Sequence, residues 1–158
     1  MTEQTGLATP SSYIDKLALI LVRDRKQLVA RTAGKTAFFT PGGKREDGES
    51  DAQALVRECK EELNVEIVPE TMKPYGVFQA QAFGKPEGTM VRMTCYTADY
   101  EGTLTASSEI EELVRFHAAG TDSRMRRRGY CWLWLTFRML HSGGSRVIAR
   151  SPTFRSQV

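Results

Sequence analysis

Three glutamates, Glu58, Glu61 and Glu62, stand close together in the run Arg57-Glu58-Cys59-Lys60-Glu61-Glu62. Counted from Glu58, the other two fall at i+3 and i+4, so on a helix the carboxylates share one face. Like charges this close oppose one another, and each raises its neighbour's proton affinity; a bound cation makes the cluster favourable. Hard oxygen donors suit Mg²⁺, or Mn²⁺ in its place, over softer metals. The plainer reading is a solvated acidic helix face, softened by Arg57 and Lys60 through local pairs worth only a few tenths of a kcal/mol.

The loop ahead of this run favours the metal reading. Gly42-Gly43 lies just before the acidic stretch, so backbone carbonyls there can approach the cation that Glu58 and Glu62 reach from the helix. Glycine also lets a bulky phosphate come close. Arg57 is a fixed cation inside the acidic region and can pair with Glu49, bracing loop against helix. The cysteines Cys59, Cys95 and Cys131 are odd in number and lack metal-ligand spacing, so they read as buried thiols. His117 and His141 are isolated and read as ordinary surface or core histidines.

The elements that must position these groups follow from periodicity and punctuation. Ile14 to Val22 is a β-favouring run, Arg23 to Gln27 interrupts it with charges, and Leu28-Val29-Ala30 resumes it, which reads as a hairpin. Ala37 to Thr40 is short and apolar, and Pro41-Gly42-Gly43 ends regular structure. Ser50 to Leu63 carries the strongest helix signal: Ser50 and Gln53 form a capping box, and Leu55, Cys59 and Leu63 recur every fourth residue with Ala52 and Val56 alongside. Asn64 sits where a left-handed residue stops a helix. Val65 to Val68 reads as a short strand and Tyr75 to Phe83 as a longer one. Met90 to Tyr100 is its antiparallel partner, with Val91, Met93 and Cys95 on one face. Glu109 to Phe116 reads as a further strand or short helix.

From Gly43 the chain runs Gly, five residues, Glu49, seven residues, then Arg57-Glu58-Cys59-Lys60-Glu61-Glu62-Leu63-Asn64-Val65. This resembles the Nudix box G-x5-E-x7-R-E-U-x-E-E-x-G-U, in which U is a bulky apolar residue. Only Asn64 departs, standing in place of the last glycine at a helix stop that tolerates it. The resemblance implies an α/β fold, the α/β/α Nudix sandwich with a mixed sheet. It implies that Glu58, Glu61 and Glu62, with the carbonyl of Gly42, hold divalent cations that bridge substrate phosphates. Gly43 and Glu49 are then structural supports of the box, and Arg57 supports the catalytic glutamates. Water attacks phosphorus in a small diphosphate-containing nucleotide; a nucleoside triphosphate, intact or oxidised, giving NMP and pyrophosphate is the leading substrate. Metals that neutralise the phosphate oxygens and acidify bound water make such a reaction feasible. For the general base, Glu58 and Glu61 are candidates in the box, and Glu109 or Glu112 in a later segment. We take Glu58 as the base or a principal ligand.

A chain of 158 residues with 41% hydrophobic content fits one globular domain, and its longest apolar run, Leu17 to Val22, is far too short to span a bilayer. Residues 1–12 lack the pattern of a secretory leader and read as a flexible N-terminus, followed by the hydrolase domain over 13–122. The expected setting is cytoplasmic, with no membrane partner and with homodimerisation left open. The net charge of +3 divides unevenly: residues 1–122 carry 14 Lys and Arg against 19 acids, whereas 123–158 carry eight Arg and no acid. Three readings fit this basic C-terminal segment: a nucleic-acid arm, a helix over about Tyr130 to Leu140 docking by its aromatics, or a shifted reading frame. The abrupt loss of acids where the family pattern stops favours the third. Phe38, Phe39, Phe78 and Phe83 read as core residues before base-stacking ones. The rival class is a non-catalytic nucleotide- or RNA-binding module gripping through the basic tail; the intact acids favour an enzyme acting on small nucleotides over nucleic acid.

Overall fold

The structure, a computed structural model, describes residues 12–82 and 85–117. Phe83, Cys131, His141 and the whole 123–158 segment lie outside the described residues, as do residues 1–11.

The strand β1 (Ser12–Leu19) is apolar on both faces near its end, which suits a position covered on both sides. Leu17 and Leu19 turn to one core, Ala18 to another, and Ile20 just beyond the strand joins Ala18. Strands β2 (Val22–Arg23) and β3 (Lys26–Thr32) form the expected hairpin. Asp24 and Arg25 between them both take positive φ, as a two-residue mirrored turn requires. The hairpin read from the sequence is thus present, but residues 14–19 of the apolar run lie outside it. The ladder pairs Val22 with Gln27 and Arg23 with Lys26, and beyond it the Leu28 N–H donates to the Leu21 carbonyl at 2.8 Å, while β1 runs parallel to a strand distant in sequence.

That strand is β6 (Thr89–Thr97), reached after the helix α1 (Asp51–Leu63), the short β4 (Glu66–Ile67) and β5 (Lys73–Gln81). β1 pairs with β6 in parallel, Leu17 opposite Thr94 and Ala18 opposite Cys95, while β5 pairs with β6 antiparallel, with a bulge between Pro74 and Gly76. The sheet is thus mixed, as expected. Val91, Met93 and Cys95 are all buried, matching the alternation read from sequence. After β7 (Tyr100–Glu101), which pairs with β4, the chain enters β8 (Ile110–His117). β8 is a strand, not a short helix, and it runs antiparallel to β3 in a second sheet ordered β2-β3-β8. A helical layer thus covers one face of a mixed sheet; a second helical layer would fall outside the described residues.

The helix α1 begins and ends as its sequence demands. Ser50 Oγ accepts from the Gln53 N–H at 3.3 Å and the Gln53 side chain accepts from the Ser50 N–H at 2.9 Å, closing the capping box. Asn64 stops the helix in the left-handed conformation, φ 55 and ψ 37. Leu55, Cys59 and Leu63 are wholly buried against Leu17, Leu19 and Leu28. Fully burying each leucine contributes about 2 kcal/mol. Ala54, rather than Ala52, completes the buried stripe; Ala52 and Val56 are only half-buried. This packing holds the glutamate face of α1 at a fixed distance from β1.

Candidate active site

The loop between β3 and α1 is sewn onto β1 by its backbone. The Leu17 N–H donates to the Gly43 carbonyl at 2.7 Å and the Leu19 N–H to the Pro41 carbonyl at 2.9 Å. Gly42 sits between these ties at φ +131, and a Cβ there would lie 2.4 Å from the Leu17 carbonyl oxygen. Only glycine fits such a backbone in so little space. Gly43 has a different reason: its missing side chain leaves the room that the Glu58 carboxylate occupies, with Oε1 2.1 Å from where a Cβ would be.

Glu62 comes from the same helix face. Its Oε2 accepts from the Gly42 N–H at 2.9 Å, and the side chain is buried. Burial pushes its carboxyl up to about 7, and the negative charges of Glu58 and Glu109 push the same way; the Gly42 N–H and the positive Lys16 pull against them. Lys16, on β1, carried no signal in the sequence that tied it to this site. Glu61 is half-exposed, its Oε2 3.7 Å from the Arg57 guanidinium.

Arg57 organises the loop. Its Nε and Nη2 each stand 2.8 Å from the two oxygens of Glu49, a bidentate fork, while Nη1 donates to Glu58 Oε1 at 3.0 Å and Nη2 also reaches the Lys44 carbonyl at 3.0 Å. The Arg57 fork, helped by the Glu46 N–H, holds the Glu49 carboxyl down at about 2. Hydrogen bonding to Glu49 raises the Arg57 guanidinium above its ordinary value. The pairing expected from the sequence spacing is therefore present, with both carboxylate oxygens engaged.

A second brace had no sequence signature. Arg45 Nε bonds Asp51 at 2.6 Å, and its Nη1 lies 3.8 Å from Asp15, which Arg92 also holds. The Tyr96 hydroxyl donates to the other oxygen of Asp51. Two acids and two arginines thus fasten the start of α1 and its loop to β1 and β6. Their separations in sequence reach 77 residues between Asp15 and Arg92, so only the folded sheet brings them together.

Gly42, Gly43, Glu49, Arg57, Glu58 and Glu62 meet at one place, with Glu61 at its edge. Glu109 lies on the turn before β8, where its carbonyl accepts from the Ala33 N–H, and its charge is felt by Glu62. Glu112 is elsewhere: it lies within β8 and is engaged by Arg31, Nη2 to Oε2 2.8 Å. Among the described residues no three acids, histidines or cysteines already converge as a ligand shell. The donor set nonetheless fits a hard divalent cation: it is made of carboxylate and carbonyl oxygens, with glycine keeping side chains out of the space between them. Phe38 and Phe78 are buried, as expected for core aromatics, and Phe38 meets Phe116 edge-on at 5.4 Å between centroids. Cys59 and Cys95 are buried thiols, as read from the sequence. Among the described residues no helix is long and apolar enough to cross a membrane.

The NUDIX domain model matches residues 15–133, a span ending inside the basic C-terminal segment. Curated proteins give no match. Among solved structures, the E. coli ORF135 protein is similar at 27% identity and a TM-score of 0.58, with 84% of this chain and 96% of that one covered. A NUDIX hydrolase from Nitrosomonas europaea shares the fold at 17% identity and a TM-score of 0.64, covering 82% and 88%. The MutT NUDIX hydrolase from Burkholderia pseudomallei does so at 22% and 0.57, covering 70% and 88%. The chain therefore belongs to the NUDIX family and is a Nudix hydrolase, one of the enzymes that split pyrophosphate linkages in nucleoside diphosphate derivatives and generally use a divalent metal.

Proposed function

We propose that this hydrolase acts with Mg²⁺, or Mn²⁺ in its place, on a small nucleotide, and that a nucleoside triphosphate giving the monophosphate and pyrophosphate is its leading substrate. Glu58, Glu61, Glu62 and the Gly42 carbonyl would hold the cation. When bound, it supplies neutralisation of phosphate oxygens and a more acidic water. Glu58 accepts the proton of the attacking water as the new O–P bond forms and the bridging P–O bond breaks, the bridging electrons leaving with pyrophosphate. Arg57 holds Glu58 and Glu49 in one fork, so the loop cannot drift from the helix while charge builds on the substrate.

The observation that carries this reading is the seat of Glu58 over Gly43 beside Glu62 on Gly42, two carboxylates held against a backbone that offers room and no side chain. A solvated acidic face would not bury Glu62, nor reserve a glycine under Glu58.

The test is a screen of nucleoside triphosphates, nucleotide sugars, ADP-ribose and dinucleoside polyphosphates with Mg²⁺, with Mn²⁺ and with chelator. Products identify the substrate class, and ¹⁸O from water marks the phosphorus attacked. Hydrolysis that depends on the cation is expected. No release from any of them in either metal would sink the reading. Glu58→Gln should lower turnover by about a hundredfold or more, in the range lost with a general acid or base; near-wild-type turnover at saturating Mg²⁺ would remove Glu58 from the base role.

A further inference from the structure

An open cavity of about 650 Å³ lies at the far end of the sheet, where the chain leaves β1 and β6 and where β5 begins. None of its lining residues comes from the loop or helix of the box. Two arginines border it, Arg23 from β2 and Arg115 from β8, against one acid, Asp99. Tyr75 and Tyr100 form part of the wall, with Thr97 at the end of β6.

Arg115 is the unusual member. Its Nη1 is shut off from solvent and has no hydrogen-bond partner. Each of the other part-buried arginines among the described residues, Arg31, Arg45 and Arg57, is held by carboxylates. Arg23 is exposed and likewise makes no ion pair among the described residues. Arg115 is part-buried at the cavity wall and no ion pair engages it among the described residues, so an anion brought there gains a charge-assisted partner. The tyrosine rings offer flat apolar surface with a polar tip, and Asp99 offers an acceptor for hydroxyl or amino groups. The volume falls in the range of small-molecule sites.

We propose that this cavity is a second, metal-independent binding site, and that it takes a phosphomonoester of mononucleotide size carrying a planar ring. The phosphate pairs with Arg115 and Arg23, and the ring lies against the tyrosines. The site shares no residue with the box, so it stands whether or not the assignments made there hold.

The test is calorimetric titration of the full chain, in EDTA, with AMP, adenosine and inorganic phosphate. AMP binding is expected, with adenosine and phosphate each at least about tenfold weaker. Arg115→Gln and Arg23→Gln should each weaken AMP by about tenfold, the usual cost of a lost charge-assisted hydrogen bond. The hydrolase substitution Glu58→Gln should leave AMP binding in EDTA unchanged. Absence of AMP binding, phosphate binding as tightly as AMP, or AMP affinity unaltered by both arginine substitutions overturns the proposal. Should Arg115→Gln melt far below the parent, Arg23→Gln, at an exposed position, decides alone: unaltered affinity there overturns it.

Discussion

A side chain added at Gly43 and one added at Gly42 meet different obstacles. At Gly43 the new Cβ meets the end of the Glu58 side chain, which can swing aside. Gly43→Ala should therefore fold with a melting point close to the parent while hydrolysis falls at least about tenfold, because the displaced group is the carboxylate proposed as the base. At Gly42 the obstacle is the β1 backbone, and φ is +131 besides. Gly42→Ala should cost about 2 kcal/mol or more of stability, read by denaturant unfolding, through strain and the broken seam between loop and strand. Equal losses of stability in both variants would mean that Glu58 is as fixed as the backbone. The need for glycine at both positions was legible from the sequence; which obstacle each one avoids was not, because those obstacles lie on β1 and α1.

Within α1, the boundaries follow from local chemistry alone. Ser50→Ala should remove about 1 kcal/mol, since it leaves the Gln53 N–H without its cap, and chemical denaturation measures this directly. The Arg57–Glu49 brace predicts an acid response. Glu49 is held at about 2 against an ordinary 4.5, so its contribution is complete above about pH 4.5 and is lost as pH falls through 2. Glu49→Gln should lower stability at neutral pH and flatten the acid limb of the stability curve between those values. An unchanged acid limb would show that Glu49 is not held by Arg57 in solution. The strands were less legible than the helix: the Leu17 to Val22 run looks the same whether it pairs with its neighbour or with β6. Its two apolar faces satisfy either arrangement until the helix and the second core claim them.

At the scale of the molecule, the cores that enclose Cys59 and Cys95 make these thiols a report on global unfolding. Burial pushes Cys95 up to about 12 and Cys59 higher still, with the Glu62 and Glu58 charges adding to the effect at Cys59. Alkylation at pH 8, followed at these two positions by mass spectrometry, should be slow in the native protein and appear only across the denaturant transition. Early reaction at Cys59 alone would mean that α1 lifts from β1 independently of the sheet. The sequence by itself determined the box, the helix with its caps, the Arg57–Glu49 fork and the buried alternation of β6, because each rests on contacts between residues near in the chain or on a fixed period. Tertiary structure alone decided the parallel pairing of β1 with β6, the commitment of Glu112 to Arg31, the Asp15–Arg45–Asp51–Arg92 brace, the approach of Lys16 to Glu62 and the cavity at Arg115. These depend on residues far apart in the chain, whose proximity is set by which faces the sheet and helix bury against one another.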